Sequence, residues 1–85
     1  ELRRRIDHAD HELVEALAAR MRTVTEIGAH KKAHGVTILQ PERWREIFES
    51  RAQWAASLGL RPEFVQQLYE LIHLESIRTQ TEAPE

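Results

Sequence analysis

An all-α fold of three helices, the first much longer than the others, is predicted by three features of the chain. Apolar residues recur at helical spacing, prolines stand where helices would start, and glycines stand where they would stop. From Leu2 to Lys32 there is no proline and no glycine but Gly28, while Leu2, Ile6, Ala9, Leu13, Leu17, Val24 and Ile27 share one helical face. This predicts a first helix over 2–34. Gly35 then stops it, and the β-branched Val36, Thr37 and Ile38 predict an extended connection. Pro41 suits a first helical position, with Glu42 favourably placed beside the helix N-terminus. Trp44, Ile47, Phe48, Ala55 and Leu58 continue as a stripe up to Gly59, giving a second helix over 41–58. Pro62 opens a third over 62–81, lined by Phe64, Val65, Leu68, Leu71 and Ile72 before the polar tail from Thr81. The chain, 1–85, reads as one domain.

The first helix is too long for a monomer of this size. At about 1.5 Å per residue it would reach roughly 45 Å, whereas a compact chain of 85 residues should be about 30 Å across. A core this small also gains from a second copy. Two antiparallel copies of the long helix, each covered by the short helices of the other chain, resolve both problems. The expected assembly is therefore an intertwined helical homodimer.

Composition narrows the function. The chain is 31% charged and 41% hydrophobic, which fits a charge-rich globular domain and excludes a disordered tail. Its formal charge of −2 gives no overall attraction to nucleic acid or anionic lipid, so anion binding must come from a local cluster. The absence of cysteine removes disulfides, thiolate metal sites and thiol nucleophiles, and suits a cytoplasmic location. No apolar run is long enough for a membrane span. The missing initiator methionine points to a piece of a larger parent.

The informative charges are those on the wrong face. With 100° per residue and Leu17 as the origin, Arg3, Arg20 and Lys31 fall on or beside the apolar stripe of helix one, whereas Arg4 and Arg22 project away as solvated charges. Cations on a face meant for burial need counter-charges. Carboxylates such as Asp10 or Glu75, or snorkelling at the stripe's edge, are one source of relief; a dianionic ligand inside the bundle is another. Arg3 and Lys31 lie 28 positions apart, about 42 Å along one helix, so only an antiparallel pair of chains brings them to one ligand. Arg43 adds a cation beside the stripe of helix two. Ser76 and Gln80, four apart on helix three, add hydroxyl and amide donors. The expected site is a small cationic cavity that occurs twice per dimer.

Four pieces of sequence, L-R-R-x-I-D near the start, R-M-R with G-x-x-K nearby, P-E-R, and E-S-I-R-x-Q near the end, resemble the AroQ-class chorismate mutases over essentially the whole chain. No piece is specific alone; their joint order and spacing are. The resemblance implies a three-helix chain in an intertwined dimer that rearranges chorismate to prephenate with no cofactor. It implies that Arg3 of the partner chain and Arg20 bind the two substrate carboxylates, with Ser76 assisting and Arg43 at the cavity wall. It further implies that Lys31 and Gln80 flank the ether oxygen, and that the backbone around Gln40 approaches the ring hydroxyl. A preorganised ammonium at Lys31 would stabilise the charge developing on that oxygen, and the arginines would hold the reactive conformer.

One departure stands out. Many family members carry a glutamate after the P-E-R arginine, to bond the substrate hydroxyl; here that position is Trp44, either core packing or an indole N–H in place of the lost contact. An aromatic there, with T-I-L-Q-P-E-R-W around it, resembles mutase domains fused to DAHP synthase, the first enzyme of the shikimate pathway. A fused or associated DAHP synthase is thus an expected partner. Isochorismate pyruvate lyase, or a mutase acting on an amino analogue of chorismate, is the nearest alternative, and a regulatory dimerisation module binding prephenate is another. His30 and His34, like His8 and His11, lack a third metal ligand, and Lys31 and Lys32 would repel a cation, so no metal is expected. Glu75 is expected to pair with a buried arginine and Trp54 to pack; Arg51, within the stripe of helix two, has no assigned role.

Overall fold

A computed structural model describes residues 1–82 of the chain. It contains three helices, α1 (Leu2–Ala33), α2 (Pro41–Ser57) and α3 (Pro62–Glu82), and no strand among the described residues. Glycine closes both of the first two helices in the same way. After α1 the N–H groups of Gly35 and Val36 return to the carbonyls of Lys32 and Lys31; after α2 those of Gly59 and Leu60 return to Ala56 and Ala55. This double return needs a left-handed residue past the cap, which Gly35 (φ 64°) and Gly59 (φ 80°) supply. Pro41 and Pro62 then stand first in α2 and α3, where a missing N–H is harmless. His30, Lys31 and Lys32 in the last turn of α1 complement its dipole.

The central helix is α3, which packs against both α1 and α2, while α1 and α2 make no direct backbone approach among the described residues. Val24, Trp44, Ile47, Ala55, Val65 and Ile72 form the buried core. This core lies against the C-terminal half of α1 only, because α3 is about 32 Å long against about 48 Å for α1. Residues 1–16 are all exposed. The apolar stripe expected on helix one is accordingly buried within the chain only around Val24: Leu2, Ile6, Leu13 and Ile27 are exposed and Leu17 half-buried. The molecule measures 49 × 25 × 15 Å, so its long axis is that of α1.

Two local expectations are corrected. Glu75 pairs with Arg78, three residues away and exposed, and not with a buried arginine. Trp54 does not pack inward; it is 54% exposed and carries the Arg51 guanidinium 4.4 Å over its ring.

Gly28 sets the distance between α1 and α3. It is buried, and a Cβ there would lie 2.8 Å from the Cα of Gln80 and 3.0 Å from its carbonyl oxygen. No side chain fits without moving α3 as a body. Gly28→Ala is therefore expected to destabilise the fold by about 1–3 kcal/mol, read as a lower midpoint in urea denaturation. An unchanged midpoint would mean that α3 is not held at this distance.

Candidate active site

Residues from all three helices and the connection after α1 surround a cavity of about 190 Å³. Arg20, Val24, Ile27 and Lys31 face it from α1, at steps of four, three and four that keep them on one side of the helix. Ile38 and Gln40 close it from the connection, Arg43, Trp44, Ile47 and Arg51 from α2, and Ser76 and Gln80 from α3. Four of these twelve residues are cationic at neutral pH and none is acidic.

The polar groups are fixed by one another. Arg20 Nη1 donates to Ser76 Oγ at 2.7 Å, and Ser76 Oγ donates its only proton to the Ile72 carbonyl at 2.6 Å. Ser76, 1% exposed, thus orients Arg20 with no proton left for another acceptor. Lys31 Nζ donates to Gln80 Oε1 at 2.9 Å and more distantly to the Ile38 carbonyl at 3.4 Å. Gln80, also buried, accepts through its oxygen and so keeps its NH2 as a donor. Gln40 caps α2, its carbonyl receiving the Trp44 N–H.

Trp44 is both core and wall. It is 9% exposed, meets the His73 ring edge-on at 4.0 Å and Phe48 at 5.8 Å, and stands 5.7 Å from the Arg20 guanidinium carbon. Its indole N–H donates to no described residue. Burial pushes the His73 pKa down.

Burial also lowers the pKa of Arg20; Tyr69 opposes this, while the like charges of Arg51 and Arg43 add to it. Burial alone lowers that of Lys31. Neither cation has a carboxylate partner among the described residues, and Arg43 has only an exposed, long contact of 3.4 Å to Glu46. Carboxylate neutralisation of the stripe cations is therefore not how this chain relieves them. The lining offers no paired nucleophile and base: its one hydroxyl is committed and it contains no histidine or carboxylate. What it can do is bind a compact polyanion and stabilise negative charge near Lys31 and Gln80.

Of the residues singled out from sequence, Arg20, Lys31, Gln40, Arg43, Trp44, Ser76 and Gln80 meet at this cavity. Arg3 does not. It is exposed in a shallow depression with Glu1, Leu2, Arg4 and Asp7, roughly 25 Å from Arg20 along α1. Arg51 is the cavity cation that sequence reasoning left without a role. Its place on the Arg43–Ile47 line, at steps of four, was the available signal. His30 and His34 stack at 4.2 Å, and no group of three candidate metal ligands occurs among the described residues. No helix among them is long and apolar enough to cross a membrane.

Residues 2–81 match the family described as chorismate mutase type II. The chain is 36% identical over 81 residues to a 4-amino-4-deoxychorismate mutase of Streptomyces pristinaespiralis, covering 95% of this chain and 63% of that protein. It is 32% identical over 81 residues to a T-protein of Enterobacter agglomerans, covering 95% of this chain and 22% of that protein. It is 36% identical over 74 residues to an isochorismate pyruvate lyase of Pseudomonas aeruginosa, covering 86% of this chain and 72% of that protein. The chain thus spans less than two thirds of the first two of these relatives. No solved structure matches it.

The direction of the Lys31 shift fixes a pH dependence. Because burial favours the neutral amine, the folded chain releases this proton at a lower pH than the unfolded chain. Between the depressed value and the ordinary lysine value the unfolded state holds more protons, so folding stability rises with pH in that window. Lys31→Met is expected to lose this dependence, so that wild type gains stability relative to it as pH rises through the window, by chemical denaturation. A difference independent of pH would contradict burial as the cause.

Proposed function

Because the chain belongs to the type II chorismate mutase family, we propose that it rearranges chorismate to prephenate, as a cytoplasmic enzyme that needs no cofactor. The observation that carries this is the set of uncompensated cations around Lys31 and Gln80, in a cavity without nucleophile or base. A Claisen rearrangement asks for neither: one C–O bond breaks as one C–C bond forms, and negative charge grows on the departing ether oxygen. Lys31, already close to Gln80, supplies the ammonium that meets this charge, and the Gln80 NH2 is the second donor. Arg20, steadied by Ser76, takes one substrate carboxylate. Arg43 stands near the other, and the backbone at Gln40 approaches the ring hydroxyl. The gain is largely that of holding the reactive conformer and receiving charge with dipoles already in place.

The lining also favours chorismate over the amino analogue named for one relative. A ring ammonium would find four cations and no carboxylate in this cavity, whereas a hydroxyl can use the backbone at Gln40 and the unpartnered indole N–H of Trp44. Isochorismate, an isomeric dianion, meets the same cations, and product identity separates lyase from mutase.

The site is completed by a second copy. The exposed stripe of Leu2, Ile6 and Leu13, together with the apolar groove of Val14, Leu17, Ala18, Met21, Leu71 and Ile72, supports an antiparallel intertwined dimer. In that arrangement Arg3 reaches the partner's cavity. Trp44 and the stretch around it further support a parent or partner bearing DAHP synthase.

Purified domain is expected to consume chorismate, followed by absorbance, with prephenate as product, and Lys31→Ala to lose at least about a hundredfold in kcat. Wild type that leaves chorismate unchanged, or releases pyruvate from isochorismate instead, overturns the assignment. Light scattering is expected to give twice the chain mass; a compact monomer removes Arg3 from the site.

A further inference from the structure

Arg51 has no part in the substrate contacts proposed above, yet it lines the same cavity as Arg20 and Arg43. It follows Arg43 by eight residues, so the two side chains leave α2 on one line, about 12 Å apart along the axis. Its guanidinium carbon lies 4.4 Å over Trp54 and 5.9 Å from the Tyr69 ring centre. Arg20 stands at 5.9 Å from the same Tyr69 ring, so α1 and α2 each bring a cation to one tyrosine. Of the two neighbouring arginines, Arg51 contributes more than Arg43 to disfavouring the charge on Arg20.

Two like charges brought this close normally share a carboxylate. Among the described residues Arg51 has none: its interactions there are the two rings and a bond from Nη1 to Ser50 Oγ at 2.9 Å, while Nε is buried without an acceptor. Stacking on an exposed tryptophan one turn away would account for the flat face of the guanidinium. It does not account for the side-on edge of Nε and Nη2, which has no acceptor among the described residues and is the edge through which a guanidinium binds a carboxylate by two parallel bonds. An orphaned buried donor beside a cationic cavity calls for an acceptor, and a ligand carboxylate is one that would supply it as the side chain turns toward the cavity.

We propose that Arg51 is a further substrate-binding residue, sharing with Arg20 the carboxylate farther from Lys31, and that Trp54 stacked behind it sets the plane of its guanidinium. The proposal rests on the dicarboxylate reading of the cavity. It gives that carboxylate one holder from α1 and one from α2, so a substrate lacking it loses both helices at once.

The full chain carrying Arg51→Gln is compared with Arg51→Lys and wild type by chorismate kinetics, by calorimetric affinity for prephenate, and by melting temperature. Loss of a charge-assisted hydrogen bond predicts a rise of about ten- to hundredfold in both KM and prephenate Kd. Arg51→Lys should recover part of this, because the charge returns without the fork. The glutamine variant should also show a weaker dependence of KM on salt. KM and Kd within twofold of wild type overturn the proposal, whatever the melting temperature does. Dissociation of an Arg51→Gln dimer also overturns it, since Arg51 then acts through the assembly and not on substrate. Wild type that binds prephenate but leaves chorismate unchanged sinks the mutase reading alone, and prephenate affinity still judges Arg51; wild type that does neither sinks both.

Discussion

Positive charge held without a counter-ion is the constraint around which this small protein is arranged. Arg20, Lys31, Arg43 and Arg51 converge on one cavity in which no described residue is acidic, and burial already disfavours the charge on Arg20 and on Lys31. In a chain this short, with six buried apolar side chains among the described residues, such an arrangement weakens the fold when the cavity is empty. Its retention is intelligible if a dianion relieves it, and relieves it most in a transition state where charge has moved toward Lys31. The fold then serves to hold the cations: Gly28 brings α3 close enough for Lys31 to meet Gln80, and Ser76 spends its one proton inward so that its oxygen receives Arg20.

The same economy explains the shape. α1 extends beyond its own core by about half its length, leaving apolar side chains that a single chain cannot cover. In the dimer proposed above, a long helix used by two cores would let two small domains share one set of buried surface. It would also let the far end of the helix, where Arg3 lies, serve the other chain's cavity. On this reading stability and catalysis depend on the same association, and a change that separates the chains removes both.

Much of this was legible from residue order. Pro41, Pro62, Gly35 and Gly59 act through backbone geometry that needs no tertiary partner, so the helix ends could be anticipated closely; α1 ends one residue before the expected 34 because His34 is its cap. The cations on the apolar stripe were visible because a charge at a buried register contradicts its neighbours. What the sequence hid was pairing. Glu75 takes the nearer, exposed Arg78 because a contact three residues away on one helix is made without ordering a second element. Trp54 looks like core by its size, yet it lies outside and supports Arg51. Arg51 itself was legible on its stripe, but its role depends on Arg20 of α1 meeting the same Tyr69 ring, a relation between helices that spacing along one helix cannot contain.

The most direct test joins the chemistry to the assembly. Arg3→Ala and Lys31→Ala chains are unfolded, mixed in equal amounts and refolded together, and chorismate consumption is compared with that of each variant refolded alone. A site built from Lys31 of one chain and Arg3 of the other predicts one intact site in every mixed dimer. Since half the dimers are mixed at random and each has one good site of two, about a quarter of wild-type activity should return from two nearly inactive variants. Activity no greater than the sum of the separately refolded variants would contradict a catalytic cavity completed by a second chain.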